Sequence, residues 1–153
     1  MAQQRVYLVI MDETPEAQNA LRFAARRAAR TGGTVHILAL VPPQEFVAFG
    51  GVQATIEQEA RDRAEVLATT AAGGLAAESG LMPTITVQQG DGPQVVRDFL
   101  KGHPEVSALV LGAAAEGGPG QLVSHFASHA GQLPCVLMIV PGAADEDRID
   151  AVS

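Results

Sequence analysis

The chain has 153 residues, which suits one domain with a substantial core, and it contains 47% hydrophobic and 18% charged residues, a balance typical of an ordered globular protein. Its formal net charge of −7 repels nucleic acid and anionic membrane surfaces, so we expect neither as a main partner. The single cysteine, Cys135, excludes an internal disulfide and a multi-cysteine metal site.

The first predicted elements are a strand and an amphipathic helix. The apolar run Val6–Met11 predicts a buried strand. Thr14–Glu16 predicts a helix start, because threonine can cap, proline suits the first helical position and glutamate favours the positive end of the dipole. Small apolar residues follow at helical spacing until Gly32 and Gly33. On the opposite face we expect solvated arginines: Arg22, Arg26, Arg27 and Arg30.

The middle of the chain continues the alternation of strands and helices. Thr34–Val41 predicts the second strand, and Gln44–Val52 is expected to form a loop. Residues from Gln53 to about Ala77 predict a long helix. Pro83–Gln89 predicts the third strand, and Gln94–Lys101 predicts a short helix.

The last third completes the pattern. Ser107–Leu111 predicts the fourth strand, about Gln121–Gly131 the next helix, and the apolar run Pro134–Val140 the fifth strand. The acidic tail over residues 143–153 is expected to be frayed. Strands that alternate with helices predict a parallel sheet covered on both faces. A ligand is then expected outside the carboxyl ends of the strands.

Asp12 is the first candidate site residue, because it directly follows the first strand. Its carboxylate can accept a hydrogen bond from an adenine amino group or a ribose hydroxyl, or it can serve the following helix start. Both interpretations stay open. A phosphorylation receiver domain is rejected, because it needs an aspartate after strand three and a lysine after strand five. Here strand three leads to Gln88–Gly90, and Lys101 is the only lysine of the chain.

The loop Gly112–Gly120 is the second candidate. Glycines let backbone N–H groups approach a phosphate, and Ser124 in the following helix can donate its hydroxyl. A P-loop is excluded, since the pattern GxxxxGK[ST] does not occur. There is no Lys or Arg between Gly102 and Asp147, and Glu116 carries the wrong charge for a phosphate. Weak binding, a ligand with few phosphates and a plain connector all remain open.

Three further residues are weaker candidates. His125 and His129 lie four apart on one predicted helix and could share a metal, but no third ligand is evident, and we expect packing or surface roles. Cys135 is expected to be a buried, inert thiol. No nucleophile, base and orienting acid come together in the sequence, so we expect no catalytic residues.

Several of these features resemble a known family when they are taken in order. VYLVIMDETPEAQNALRFAARRAARTGGTVHILALV combines a strand, an Asp, a Thr two residues on, an Ala-rich helix and a second strand. Gly90, VSALVLGAA and LVSHFASHAGQLPCVLMIVPG follow in the same order. Together they resemble the universal stress protein family over roughly Arg5–Gly142. We therefore expect a single domain at residues 1–142, followed by an acidic tail at 143–153.

The resemblance bears on the loop after the fourth strand. Nucleotide-binding members of the family show Gly-x2-Gly-x9-Gly-Ser/Thr there. When this pattern is placed on the chain, Gly112 matches the first glycine and Ser124 matches the Ser/Thr. Ala115 and Val123 stand where the second and third glycines are expected, and fewer residues separate them than in the family pattern. The resemblance implies an altered phosphate side of the site.

On the adenine side, the resemblance implies that the site is retained, because Asp12 and Val41 match positions that hold adenine in binders. The candidate ligands are ATP and AMP. We expect a stress-response regulatory or interaction module with weak or absent ATP binding. The alternative is an adenine-nucleotide-binding protein with at most slow hydrolysis.

The resemblance also implies assembly, because family members commonly dimerise through the last strand. We expect a homodimer through Pro134–Val140, whose edge position leaves backbone groups open to pairing. No apolar run approaches the ~20 residues that span a bilayer, so we expect a cytoplasmic protein with an unidentified protein partner. The alternation and the resemblance together predict a three-layer, Rossmann-like α/β fold with an open parallel five-stranded sheet in the order 3-2-1-4-5.

Overall fold

The structure, a computed structural model, describes residues 4–43 and 51–153. One parallel sheet runs through it in the order β3-β2-β1-β4-β5, which confirms the predicted strand order. Most of the predicted loop at 44–52 lies outside the described residues. The strands are β1 (Val6–Met11), β2 (Thr34–Val41), β3 (Thr84–Gln89), β4 (Val106–Ala113) and β5 (Val136–Pro141).

Helices cover both faces of the sheet, as the three-layer prediction requires. They are α1 (Pro15–Thr31), α2 (Gly51–Ser79), α3 (Gly92–Gly102), α4 (Gln121–Ser128) and α5 (Glu146–Val152). The first, second and fifth helices pack on one face, and the third and fourth on the other. The helix predicted over Gln121–Gly131 is shorter than expected, because a 3-10 turn at Ala130–Gln132 follows it.

Small side chains let the long helix lie close to the sheet. Buried alanines recur every fourth residue along α2, so one stripe of the helix meets the strands without bulky side chains: Ala60, Ala64, Ala68 and Ala72. Central strand β1 is buried on both faces, as its continuous apolar run predicts. Within the described ranges, no helix has the length and hydropathy needed to cross a bilayer.

Strand register brings the candidate site residues to one edge of the sheet. Val9 of β1 lies beside Ile37 of β2 on one side and Val110 of β4 on the other. All three strands run in the same direction, so their carboxyl ends reach the same edge. Asp12, Val41 and Gly112 therefore lie at the edge where α/β sheets bind ligands.

The expectation of a frayed tail is wrong. Residues 146–152 form α5, and the carboxylate of Asp145 caps this helix by accepting a hydrogen bond from the Arg148 N–H at 2.8 Å. Ile149 is 1% exposed and joins the core between the sheet and α1. The division into a domain at 1–142 and a tail at 143–153 stays a prediction.

The arginines of α1 explain why the tail is held. Arg22 donates from Nε and Nη2 to the two carboxylate oxygens of Asp150, at 2.9 and 2.8 Å. Arg26 Nε lies 3.2 Å from the same carboxylate, and Arg30 donates to the Ser153 carbonyl at 2.7 Å. Arg26 and Arg30 are exposed, as expected of a solvated face, whereas Arg22 is half-buried, and all three also contact α5 or Ser153. The hydrogen bond from Arg22 lowers the pKa of Asp150, and the same bond raises the pKa of Arg22.

Candidate functional site

Asp12 lies at the carboxyl end of β1 and is half-buried. Its Oδ1 accepts hydrogen bonds from the Thr14 backbone N–H at 3.0 Å and from the Thr14 hydroxyl. Thr14 was expected to cap α1 with its side chain, but the hydroxyl bonds Asp12 instead and makes no cap. Oδ1 of Asp12 is thus hydrogen-bonded within the turn that follows β1. These bonds fix the orientation of the second carboxylate oxygen.

Val41 lies at the end of β2 and is fully buried. Its carbonyl accepts a hydrogen bond from the Gly90 N–H at 3.1 Å. Gly90 has φ of 144°, in the region that favours glycine, and this conformation turns the chain away from β3. The glycine singled out after the third strand therefore has a structural role beside Val41.

Gly112 marks a close approach between β4 and the first turn of α1. A Cβ atom at this position would lie 2.1 Å from the carbonyl oxygen of Glu16. A Cβ atom at Gly142 would lie 2.6 Å from the Ala113 carbonyl and 3.3 Å from the Cβ of Glu16. Both glycines are thus required by backbone packing, whether or not a phosphate binds nearby.

The loop between β4 and α4 closes on itself. The Ala114 N–H donates to the Pro119 carbonyl at 3.2 Å. Gly117, Gly118 and Gly120 have φ of 74°, 89° and 97°, in the left-handed region that favours glycine. These three glycines do not match the glycine positions of the family pattern, and their left-handed conformation shapes this turn.

The two positions that depart from the family pattern have different surroundings. Val123 is buried in the core beneath α3 and α4, which explains an apolar side chain there. Ala115 is exposed, and its backbone nitrogen lies near Gly142. Ser124 is exposed at the start of α4, and its N–H donates to the Gly120 carbonyl at 3.0 Å.

Arg63 is a residue near this edge that sequence reasoning missed. Its Nε lies 3.4 Å from Oε1 of Glu13, which directly follows Asp12. Both side chains are exposed, so this ion pair adds little to stability. Arg63 lies fifty residues from Glu13 along the chain. No local pattern could have indicated this contact, which depends on how α2 packs beside α1.

The histidine pair is stacked on α4. The rings of His125 and His129 are 4.5 Å apart between centroids, and Nδ1 of His129 lies 2.7 Å from the His125 carbonyl oxygen. Burial lowers the pKa of His125, and the nearby His129 adds to this effect. Among residues 4–43 and 51–153, no group of three or more His, Cys, Asp or Glu side chains could hold a metal ion.

Cys135 is half-buried just before β5, and burial raises the pKa of its thiol. A raised pKa keeps the sulfur protonated at neutral pH, and the thiol is a poor nucleophile in that form. This agrees with the expectation of an unreactive cysteine.

Comparisons with known proteins agree on one family. The sequence profile described as the universal stress protein family matches residues 5–141. Comparison with curated protein sequences gave no significant match. Among solved structures, the chain is similar to universal stress protein UspA from Lactobacillus plantarum, with a TM-score of 0.76, 22% identity, and coverage of 92% of this chain and 99% of that one.

Two further similar structures contain a nucleotide. One is the universal stress protein from Archaeoglobus fulgidus in complex with dAMP, with a TM-score of 0.59, 16% identity, and coverage of 92% of this chain and 99% of that one. The other is a universal stress protein family protein from Arabidopsis thaliana with AMP bound, with a TM-score of 0.61, 17% identity, and coverage of 93% and 94%. At these identities the structural similarities establish the fold.

Proposed function

The chain belongs to the universal stress protein family, and on that premise we propose that it is a stress-response regulatory or interaction module whose binding of ATP is weak or absent. The observation that carries this proposal is the loop after β4. Its Ala114 N–H is already bonded to the Pro119 carbonyl, so it is not free to bind a phosphate.

Charge supports the same proposal. No Lys or Arg occurs between Gly102 and Asp147, and Glu116 lies within the loop itself. Strong phosphate sites combine backbone N–H groups with cationic side chains, because charge-assisted hydrogen bonds are the stronger ones. A triphosphate here would depend on neutral donors, with Ser124 among them, and would face a carboxylate.

Calorimetry on the full chain with ATP and with AMP tests this proposal. We expect no saturable ATP binding tighter than about 1 mM, which corresponds to about −4 kcal/mol. ATP binding in the micromolar range would overturn the proposal. A cooperative urea transition of the same sample provides the control that the protein is folded.

Adenine-nucleotide binding with at most slow hydrolysis is the second candidate. It is supported by Asp12, whose second carboxylate oxygen can accept from an adenine amino group or a ribose hydroxyl, and by the nucleotides in two similar structures. Asp12→Ala is expected to abolish AMP binding, and Glu13→Ala, the matched neighbouring carboxylate, to retain it. Equal AMP affinity of the wild type and Asp12→Ala would argue against this site.

We also propose a homodimer formed through β5. This strand is at the edge of the sheet, with Val136 60% and Ile139 42% exposed. Analytical ultracentrifugation at micromolar concentration is expected to give a dimer for the wild type and a monomer for Ile139→Lys. A monomeric wild type would refute the proposal. The cytoplasmic location and the protein partner stay predictions.

A further inference from the structure

A groove with a volume of about 540 Å³ runs between α1 and α2, and Glu146 at the start of α5 bounds one side. Its lining contains none of Asp12, Val41, Gly112 or Ser124, so it is separate from the candidate nucleotide site. Its volume is within the range of small-molecule pockets. The groove belongs to the helical layer of the protein rather than to the strand ends.

The groove exists because the two helices meet through small side chains. Ala25 on α1 and Ala71 and Gly74 on α2 line the groove, together with the buried Leu21 and Leu75. A Cβ atom at Gly74 would meet no atom within 4 Å. Glycine in a helix interior is unfavourable by about 1 kcal/mol relative to alanine, and neither close packing nor left-handed backbone requires it at Gly74.

Two arginines form the polar wall of the groove. Asp150 holds Arg22 through Nε and Nη2, and it holds Arg26 through Nε. Arg22 Nη1 lies 3.8 Å from Glu146, a long contact to a carboxylate that is 78% exposed. The shortest contact of Arg26 with Asp150 is made by Nε, at 3.2 Å, rather than by a terminal nitrogen. Asp150 therefore fixes the positions of both guanidinium groups, and the N–H groups that it does not bind can still donate to a ligand.

The charges around the groove select the class of ligand. A planar carboxylate accepts two parallel hydrogen bonds from a guanidinium, so the arginine wall favours an anionic head. Glu78 and Glu146 also line the groove, and both are exposed. Together with Asp150, which contacts both arginines, their charges oppose a dianion such as a phosphate monoester or a dicarboxylate more strongly than a monoanion. A ligand with one negative charge and an apolar body satisfies both the preference for an anionic head and the limit to a single charge.

We propose that this groove binds a small amphipathic monocarboxylate. Its head accepts hydrogen bonds from Arg26 and from Nη1 of Arg22, and its tail lies on the apolar floor between Leu21 and Leu75. This site does not depend on the proposed function, because it shares no residue with the strand-end site.

The test uses decanoate as the probe, titrated into the full-length protein and followed by amide chemical shifts and calorimetry. We expect saturable shifts confined to the facing stretches of α1 and α2. Decan-1-ol has the same tail without the charge and is expected to bind about tenfold more weakly, as is decanedioate. Equal affinity for decanoate and decan-1-ol, or shifts centred on another surface, would overturn the proposal.

Two matched pairs of measurements localise the site. Gly74→Leu fills the groove and is expected to weaken decanoate binding by about tenfold or more. Gly73→Leu makes the same change outside the lining, again with no atom within 4 Å of its Cβ, and is expected to leave the affinity within about twofold. Arg26→Gln is expected to weaken decanoate but not decan-1-ol. Equal effects of the two glycine variants would refute the placement of the tail.

Discussion

Two segments of similar appearance in the sequence, the loop at 114–120 and the tail at 143–153, adopt different structures. Both contain small residues and acid, with one carboxylate in the loop, Glu116, and four in the tail. The loop remains a turn closed by the Ala114 N–H and the Pro119 carbonyl, whereas the tail folds into α5 and buries Ile149. Asp150 in the tail has arginine partners on α1, but the loop lies in a stretch without Lys or Arg. Both segments are ordered, and the comparison indicates that distant partners favour a docked helix in the tail over a closed turn.

The largest effect is expected from breaking the apolar anchor of the tail. Ile149→Asp places a charge in the core beside α1 and is expected to lower the free energy of unfolding by about 3 kcal/mol. Urea denaturation measures this change. Val152→Asp, at a position that is 50% exposed on the same helix, is expected to cost about 0.5 kcal/mol or less. Equal costs for both variants would mean that Ile149 does not anchor the tail.

A smaller loss of stability is expected from the charged contact of the tail. Asp150→Asn removes the carboxylate held by Arg22, and Asp147→Asn is the control at an exposed position. The folded-state pKa of Asp150 lies below its unfolded value, so its stabilisation is present above about pH 4 and is lost as the pH falls through the folded pKa. The difference from wild type should therefore be present at pH 7 and fade toward pH 3. A difference that is independent of pH would contradict this origin.

The contribution of the loop to stability is expected to depend on its backbone conformation rather than on charged contacts. Gly118 has φ of 89°, so Gly118→Ala should cost about 1 kcal/mol of unfolding free energy, because alanine is strained there. Gly73→Ala in α2 should stabilise by about 0.8 kcal/mol, since helix propensity favours alanine. Thermal or urea unfolding gives both values. If both substitutions changed the free energy of unfolding in the same direction, Gly118 would not be required for the left-handed conformation of this turn.

The smallest effect on stability is expected from giving the loop a cation. Glu116→Lys changes an exposed side chain, so the free energy of unfolding should stay within about 0.5 kcal/mol of wild type. ATP affinity should rise by about threefold or more, because a charge-assisted hydrogen bond replaces a repulsion. Glu105→Lys makes the same charge change before β4, at the opposite edge of the sheet, and should not alter ATP affinity. No gain in Glu116→Lys would mean that charge does not limit phosphate binding.

Local patterns were sufficient to predict most of the fold. Val6–Met11 and Thr34–Val41 have the bounds predicted for them, because a continuous apolar run between breakers depends little on the rest of the chain. The helix expected from Gln53 to about Ala77 spans Gly51–Ser79, so Gly73 and Gly74 do not end it. Glycine makes a helix less stable, but packing against the sheet compensates.

Contacts between distant residues are what the sequence could not provide. The tail was expected to fray because it is acidic and lies after the last predicted strand, and its partner Arg22 is 128 residues away from Asp150. Arg63 reaches Glu13 only through the packing of α2. At the candidate site, the sequence placed Asp12, Val41 and Gly112 at one edge. It could not show that Gly112 is held against Glu16 by packing.

The pairing of Arg22 with Asp150 has a consequence for how the protein is made. The two residues are 128 positions apart, so the contact belongs to the slow, non-local part of folding. At about 5–20 residues per second, a ribosome needs about 6–25 s to extend the chain from one to the other. During that interval Arg22 lacks the carboxylate that it binds in the folded protein. Arg22 therefore gains its partner only after the segment that contains Asp150 has been made and α5 has docked on α1.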